Sequence, residues 1–300
     1  MSLIPFDDRD GQIWLDGKLV PWRDAKLHVL SHGLHYASCV FEGERVYDGK
    51  VFKLTEHSQR LLDSATLLDF EIPYSLTEID AATRAVVAAN GITDGYVRPV
   101  AWRGSEMMAV SAQAAKPRVA IAAWAWPTYF SAEDRLKGIR MTMAKYARPA
   151  PNSAPTRSKA AGLYMICTLS KHAAERDGFH DALMLDHRGF LAEATGANMF
   201  LVIDGVLHTP TPDSFLDGIT RRTVIDLAKS RGIRVVERAI PPEDLGLATE
   251  MFLTGTAAEV TPVGSLDGHQ FTVGTITRTL IRDYEDMVRG RYQQPAAAAE

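Results

Sequence analysis

The sequence predicts an α+β fold in two domains, and three observations predict it. Four Asp-Gly pairs, Asp16-Gly17, Asp48-Gly49, Asp204-Gly205 and Asp267-Gly268, lie between apolar runs. Each marks a tight hairpin, because Gly takes positive φ freely and Asp tolerates it. Stretches with apolar residues at helical spacing follow the hairpins, and Pro127-Thr128-Tyr129-Phe130-Ser131-Ala132-Glu133-Asp134 interrupts the pattern with turn-forming and charged residues. The expected organisation is therefore a small domain over residues 1–127, an interdomain loop at 128–136 and a large domain over 137–300. A chain of 300 residues is long enough for about two such units, each with its own core.

In order along the chain, residues 12–20 and 45–54 are expected as antiparallel strand pairs. Residues 56–68 place Leu61, Leu62, Ala65 and Leu68 on one helical face. The next helix opens with Ser75-Leu76-Thr77-Glu78, the pattern of a capping box, and closes at Asn90-Gly91. Strands at 96–103 and 118–126 complete the first domain, with two helices packed on one sheet. In the second half, strands are expected at 139–144, 182–186, 198–207 and 251–254, with a third hairpin over 200–208. Helices are expected at 163–176, 223–231 and 275–289. The tail from 293 to 300 carries four alanines and no apolar anchor, so it is expected to fray.

Composition narrows the function classes. Apolar residues make up 46% of the chain, which excludes disorder, and 33 basic against 37 acidic residues give a formal net charge of −4 with no run of five like charges. A polyanion such as nucleic acid is not an expected partner. No stretch approaches the roughly 18 uncharged apolar residues of a membrane span, and the start of the chain turns acidic too early for a signal peptide. A cytoplasmic protein without a membrane partner is the expectation. Cys39 and Cys167 have no CxxC spacing and the nine His form no HExxH, so no metal is expected. Neither GxGxxG nor a P-loop pattern is present, which argues against a dinucleotide or nucleoside triphosphate held in the usual way.

Four places could carry chemistry. Leu216-Asp217-Gly218-Ile219-Thr220-Arg221-Arg222-Thr223 is a glycine turn entering a helix. Two arginines at that positive helix end are awkward unless an external anion such as phosphate completes the site; the alternative is solvated arginines beside a helix capped by Asp217 or Thr220. Thr254-Gly255-Thr256-Ala257-Ala258-Glu259 is a second small-residue turn after a strand, whose amides could approach an anion or simply make a tight strand-to-helix connection. Lys159, with Ala160, Ala161 and Gly162 beside it, is either a solvated lysine or a buried amine that forms a Schiff base with a carbonyl. Glu193 lies among apolar and small residues just before a strand; it is either a structural acid on turn amides or the holder of a proton on a pyridine nitrogen.

A lysine amine, a buried acid and two anion-accepting turns are together what pyridoxal phosphate requires. The chain is similar to the fold-type IV pyridoxal-phosphate aminotransferases, and most closely resembles the branched-chain amino-acid aminotransferases. The resemblance spans about residues 13–281. It rests on His35-Tyr36-Ala37-Ser38-Cys39-Val40-Phe41-Glu42-Gly43, His57-Ser58-Gln59-Arg60-Leu61, Tyr96-Val97-Arg98-Pro99, Lys159 with Tyr164, Glu193 to Asn198, Leu216 to Thr220, and Gly255-Thr256-Ala257-Ala258-Glu259, in that order.

The resemblance implies two domains, each a mostly antiparallel or mixed sheet with flanking helices, the larger one binding the cofactor. It implies that Lys159 is the catalytic residue, holding the cofactor and shuttling the proton. Glu193 then pairs with the pyridinium nitrogen and Tyr164 reaches the phenolic oxygen. Arg60, the backbone of Ile219 and Thr220, and Thr256 hold the phosphate, and Leu216 packs on the ring. The substrate carboxylate is expected near the Thr256-Ala257 amides and Tyr96, with Phe41, Trp126, Tyr129 and Tyr164 walling an apolar pocket. Arg98 is expected to meet the γ-carboxylate of glutamate. Tyr36 and the loop around Met108 to Val110 are expected to complete the pocket of a partner subunit, which makes a homodimer the minimum assembly. Where the family loop carries glycine, this chain has Ala109.

The implied reaction moves the amino group of L-leucine, L-isoleucine or L-valine to 2-oxoglutarate by a ping-pong mechanism. D-amino-acid transaminases, (R)-amine transaminases and aminodeoxychorismate lyases are rivals within the fold, and Tyr96-Val97-Arg98 favours the branched-chain enzymes. A non-catalytic ligand-binding relative is the rival from another class, and the presence of both Lys159 and Glu193 argues against it.

Overall fold

The structure, a computed structural model, describes residues 4–126 and 137–294. The expected interdomain loop at 128–136, with Tyr129, and most of the tail lie outside the described residues. The chain divides into two compact units: one takes the first half together with Ser158–Leu163, the other takes the rest. The return of Ser158–Leu163 to the first unit is absent from the sequence-based division, and it carries Lys159 with it.

The first unit contains strands β1 (Gln12–Leu15), β2 (Lys18–Pro21), β3 (Cys39–Phe41), β4 (Glu44–Tyr47), β5 (Lys50–Val51), β6 (Gly95–Arg103) and β7 (Pro117–Ala125), and helices α1 (His32–Tyr36), α2 (Leu54–Leu67) and α3 (Leu76–Ala89). The strands run in the order β2-β1-β7-β6-β4-β5, with β3 also paired to β6, and every pairing is antiparallel. The hairpins turn at Asp16 and Asp48, whose φ values of 45° and 49° are the left-handed conformation the turns demand. The Ser75 capping box forms: the Ser75 hydroxyl accepts from Glu78 N and the Glu78 carboxylate accepts from Ser75 N.

Period-two alternation sorts the strands β6 and β7 into two faces. Val97, Ala101, Val119, Ile121 and Ala123 are buried against Leu61 and Ala65 of α2 and Ile79 and Val86 of α3. Burial of each large aliphatic side chain here stabilises the unit by about 1.5–3 kcal/mol. Tyr96, Arg98 and Trp124 belong to the opposite face, where Tyr96 pairs with Trp124 in register.

The second unit contains β8 (Ile139–Met143), β9 (Asp181–Leu185), β10 (Leu191–Ala194), β11 (Asn198–Ile203), β12 (Val206–Pro210), β13 (Val235–Arg238), β14 (Glu250–Gly255), β15 (Glu259–Leu266) and β16 (His269–Gln270), with helices α4 (Met165–Arg176), α5 (Ile219–Ser230) and α6 (Thr275–Val288). The expected helix at 163 opens instead as the 3-10 turn Ala161–Tyr164, and α5 begins one turn earlier than its apolar spacing suggested. Strand order is β10-β9-β8-β15-β14-β11-β12-β13, and β10 also pairs with β11. Six strands therefore close into a ring, β10-β9-β8-β15-β14-β11 and back to β10. Met141, Leu183, Leu191, Met199, Met251 and Val263, one from each strand of the ring, belong to a single apolar cluster. The sheet is mixed, because β8 runs parallel to both β9 and β15. The ring closes at the register pair Glu193–Asn198.

Candidate active site

In the first unit, the backbone of Lys159 is clamped on both sides. Its N–H donates to the Ser64 hydroxyl on α2 at 3.0 Å, its carbonyl accepts from Phe41 N at 3.1 Å, and Ala160 forms a bridge with Val40. The amine Nζ lies 5.0 Å from the centre of the Phe41 ring. The guanidinium of Arg98 stands 4.8 Å from that same ring and 5.3 Å from the ring of Tyr96, and its Nη2 donates to the Tyr96 hydroxyl at 3.1 Å. Tyr96 packs against Trp124 at 5.2 Å and Trp126 at 5.3 Å. Two cations and an aromatic wall thus converge on Phe41, an arrangement in which ring faces partly offset the cost of withdrawing a cation from water. Gly43 is required here: a Cβ on it would stand 2.0 Å from the Tyr96 hydroxyl.

Beside this wall lies a buried ionic cluster. Glu42 has no solvent exposure, and it accepts from Arg60 Nε at 2.6 Å, Arg60 Nη2 at 2.8 Å and His57 Nδ1 at 2.7 Å. Burial alone would raise the Glu42 pKa, but the Arg60 charge and the hydrogen bonds from Arg60 and His57 pull it well below the usual carboxylate range. Burial holds His57 below its ordinary value, so it is neutral at pH 7 and donates through Nδ1. Arg60 is therefore no exposed helix arginine; its side chain is 14% exposed. Two residues beyond Glu42, the buried Glu44 carboxyl has no hydrogen-bond partner among the described residues. Burial, and then the charges of Glu42 and Asp80, raise its pKa well above the usual range.

Tyr36 and Val110 are exposed, at 45% and 86%. His32 links Tyr36 to Ala109, the residue before Val110: it stacks on Tyr36 at 4.5 Å and its Nε2 lies 2.8 Å from the carbonyl oxygen of Ala109.

In the second unit, Glu193 precedes β11 as expected and itself lies within the short strand β10, facing Asn198 on β11. Its Oε1 is 3.3 Å from Arg148 Nε, and its Oε2 accepts from Asn198 Nδ2 at 3.2 Å. Asn198 reaches further: Nδ2 donates to the Leu216 carbonyl at 3.0 Å and Oδ1 accepts from Gly218 N at 3.2 Å. The helix α5 that follows has Gly218 as its N-cap, without a side-chain cap and without an acid in its first turn. The capping by Asp217 or Thr220 weighed from the sequence is not what forms. The first-turn amides of Ile219 and Thr220, both buried residues, have no partner within the helix, as at every helix start.

The two arginines of that turn are satisfied from within. Arg221 is buried, paired with Asp217 at 3.0 Å and Glu237 at 2.6 Å, and Arg222 lies 3.7 Å from Asp217. They do not themselves call for an anion. The turn Thr256-Ala257 joins β14 to β15 as a hairpin, so the alternative of a tight strand-to-helix connection is not what forms. It packs beside Gly196 and Ala197, where a Cβ on Gly255 would approach the Gly196 carbonyl at 3.3 Å. Tyr164 is half-buried at the start of α4. Burial pushes the Cys167 thiol, 3.3 Å from Arg148 Nη1, up to about 11, so it is not a thiolate.

The predicted residues thus form two sets. Phe41, Arg60, Tyr96, Arg98, Trp126 and Lys159 belong to the first unit, and Glu193, Leu216, Ile219 and Thr220 are drawn together by Asn198 in the second. Glu42, His57, Arg148 and Asn198 were not assigned roles from sequence. The three-residue spacing of His57 and Arg60 on α2 was the available signal for the first pair, since it places both on one helical face.

The chain matches the Amino-transferase class IV family over residues 39–266. It belongs to the class IV aminotransferases. A branched-chain-amino-acid aminotransferase of Pseudomonas aeruginosa is 43% identical to this aminotransferase over 296 residues, 96% of each chain. The T.th. branched-chain amino acid aminotransferase, solved with pyridoxamine 5'-phosphate, superposes with a TM-score of 0.92 at 39% identity, covering 94% of this chain and 95% of that one. The same T.th. enzyme complexed with N-(5'-phosphopyridoxyl)-L-glutamate gives a TM-score of 0.90 at 38% identity, with the same coverage.

The residues of this aminotransferase fit a pyridoxal group. A phosphate needs unpaired amides, which the uncapped start of α5 offers. A pyridinium nitrogen needs a carboxylate beside it, and Glu193 presents one whose oxygens lie 3.3 Å from Arg148 Nε and 3.2 Å from Asn198 Nδ2. Among the described residues no helix is long and apolar enough to cross a membrane.

Proposed function

We propose that this class IV aminotransferase uses pyridoxal phosphate to move the amino group of L-leucine, L-isoleucine or L-valine to 2-oxoglutarate, in a ping-pong reaction in the cytoplasm. When bound, the cofactor supplies an electron sink for the substrate's Cα electrons. The protein does the rest. The Lys159 amine anchors the cofactor and carries the Cα proton, and Glu193 keeps the ring nitrogen protonated. Tyr164 serves the phenolic oxygen, and Leu216 packs on the ring. The phosphate is received by Arg60, by the amides of Ile219 and Thr220, and by Thr256. The Thr256-Ala257 amides and Tyr96 receive the substrate carboxylate.

The observation that carries the substrate reading is Arg98 lying over Phe41 and Tyr96 beside Trp126. A ping-pong aminotransferase must accept an apolar branched chain and the γ-carboxylate of glutamate in one pocket. A guanidinium resting on aromatic faces is tolerable beside the first and available to the second. The names of the Pseudomonas aeruginosa and T.th. relatives, one of them complexed with a phosphopyridoxyl-glutamate, support the same choice. The exposed Tyr36 and Val110, with His32 linking Tyr36 to Ala109, suit contributions to the pocket of a second copy, which makes the assembly a homodimer.

The test is direct. Leucine alone should shift the visible absorption of the yellow protein, 2-oxoglutarate should then restore it, and glutamate should appear in step. A colourless protein that pyridoxal phosphate cannot restore contradicts the proposal.

A further inference from the structure

Two grips on the cofactor, one on its ring nitrogen and one on its phosphate, are assigned to separate segments of the second unit, β10 and the turn before α5. A single side chain joins them. Asn198 donates from Nδ2 both to Glu193 Oε2 at 3.2 Å and to the Leu216 carbonyl at 3.0 Å, while its Oδ1 accepts from Gly218 N at 3.2 Å. These three bonds use both amide protons and the carbonyl oxygen, and Asn198 is only 4% exposed. The neighbouring backbone is fitted to this amide: a Cβ on Gly218 would stand 2.2 Å from Asn198 Oδ1. Gly218 has φ −66° and ψ 137°, which any residue adopts, so its lack of a side chain serves this approach and not the backbone conformation.

We infer that Asn198 is a positioning residue that couples the ring-nitrogen partner Glu193 to the phosphate turn Leu216–Gly218, so that neither grip is set independently of the other. Glu193 Oε1 faces Arg148 and its Oε2 faces Asn198, so the amide fixes which way the carboxylate plane presents itself. A shift of the turn is transmitted to the carboxylate through one rigid, fully bonded amide, because a buried amide cannot release one partner without leaving a polar atom unsatisfied. The inference rests on the assignment of Glu193 to the ring nitrogen.

The test reads the ring nitrogen itself. Holoenzyme is prepared with pyridoxal phosphate carrying ¹⁵N in the ring, and the nitrogen resonance and the cofactor Kd are measured for the parent protein, Glu193→Gln, Asn198→Ala, Gly218→Ala and the double variant Asn198→Ala/Gly218→Ala, with folding checked by thermal melting. Glu193→Gln should move the resonance towards neutral pyridine; if it does not, the ring-nitrogen assignment fails and the inference with it. Asn198→Ala should move it in the same direction and weaken the cofactor roughly tenfold to a hundredfold. Gly218→Ala, whose added methyl would meet the Asn198 amide, should do likewise, and its effect should largely vanish in the double variant, where that methyl meets no amide. If Glu193→Gln moves the resonance while Gly218→Ala weakens binding without moving it, the grips are independent and the inference is overturned alone. If Asn198→Ala does not fold, the Gly218→Ala resonance decides by itself.

Discussion

Glu42 and Arg60 meet through two parallel hydrogen bonds, Nε to Oε1 at 2.6 Å and Nη2 to Oε2 at 2.8 Å, with the Glu42 side chain wholly withdrawn from solvent. A fork of this kind fixes the plane of the guanidinium as well as its position. The residue expected to meet the phosphate is thereby held by an acid that no solvent motion can reach, with His57 completing the acid's shell.

Glu42→Gln should therefore destabilise the protein and loosen Arg60 together. Removing one partner of a buried pair leaves the other charge uncompensated, at a cost of about 3–5 kcal/mol. The folded state depresses the Glu42 pKa, so its contribution is present above the ordinary carboxylate range and is lost as pH falls below it. Urea unfolding should show a large difference between parent and variant at pH 7 that shrinks below about pH 4. A difference independent of pH would mean that the charge of Glu42 is not what stabilises.

Glu44 predicts the opposite sign. Its folded pKa is raised, so the folded protein holds a proton that the unfolded chain releases, and this group's contribution weakens as pH rises from the ordinary carboxylate value towards the raised one. Glu44→Gln keeps the shape without the ionisation. Thermal melts should show the variant gaining on the parent between pH 5 and pH 8; parallel curves would place the Glu44 pKa at its ordinary value.

Arg98→Ala should separate the two half-reactions. Loss of a charge-assisted bond worth about 1.5–3 kcal/mol should weaken 2-oxoglutarate and glutamate by roughly tenfold to a hundredfold and leucine far less. Stopped-flow traces of each half-reaction give the comparison. Equal losses would make Arg98 a structural partner of Tyr96 only.

Glu193→Gln should leave a folded protein whose single-turnover rate with leucine falls by about a hundredfold or more, on the scale of losing a positioned proton holder. A rate equal to the parent's would reject Glu193 as the group that keeps the ring protonated.

What the sequence disclosed was local. The Asp-Gly hairpins were readable because the left-handed backbone at Asp16, Asp48, Asp204 and Asp267 admits few residues, and the α3 start because Ser75 and Glu78 satisfy each other across three residues. The closure of six strands into a ring was not readable. It depends on β10 pairing with both β9 and β11 and on β8 lying parallel to β15, contacts between segments far apart in sequence. Strand β15 was marked in the sequence only at its end, by the Asp267-Gly268 hairpin; its pairing with β14, with Pro262 in register with Phe252, was not readable. The cofactor residues are assigned through motif order. Their supporting groups are not, because nothing in the spelling of Phe41-Glu42-Gly43 says that the acid is sealed, and nothing in Arg221 says that Glu237, sixteen residues on, neutralises it.

The central claim is that Lys159 is the amine that holds the cofactor, and reductive trapping tests it most directly. The holoenzyme is treated with borohydride, digested, and the lysine carrying the phosphopyridoxyl group is located by mass spectrometry, with and without prior conversion by leucine. The predicted result is modification of Lys159 alone, abolished when leucine has first converted the cofactor to its amine form. Modification of another lysine, or a Lys159 peptide recovered unmodified from yellow protein, would contradict it.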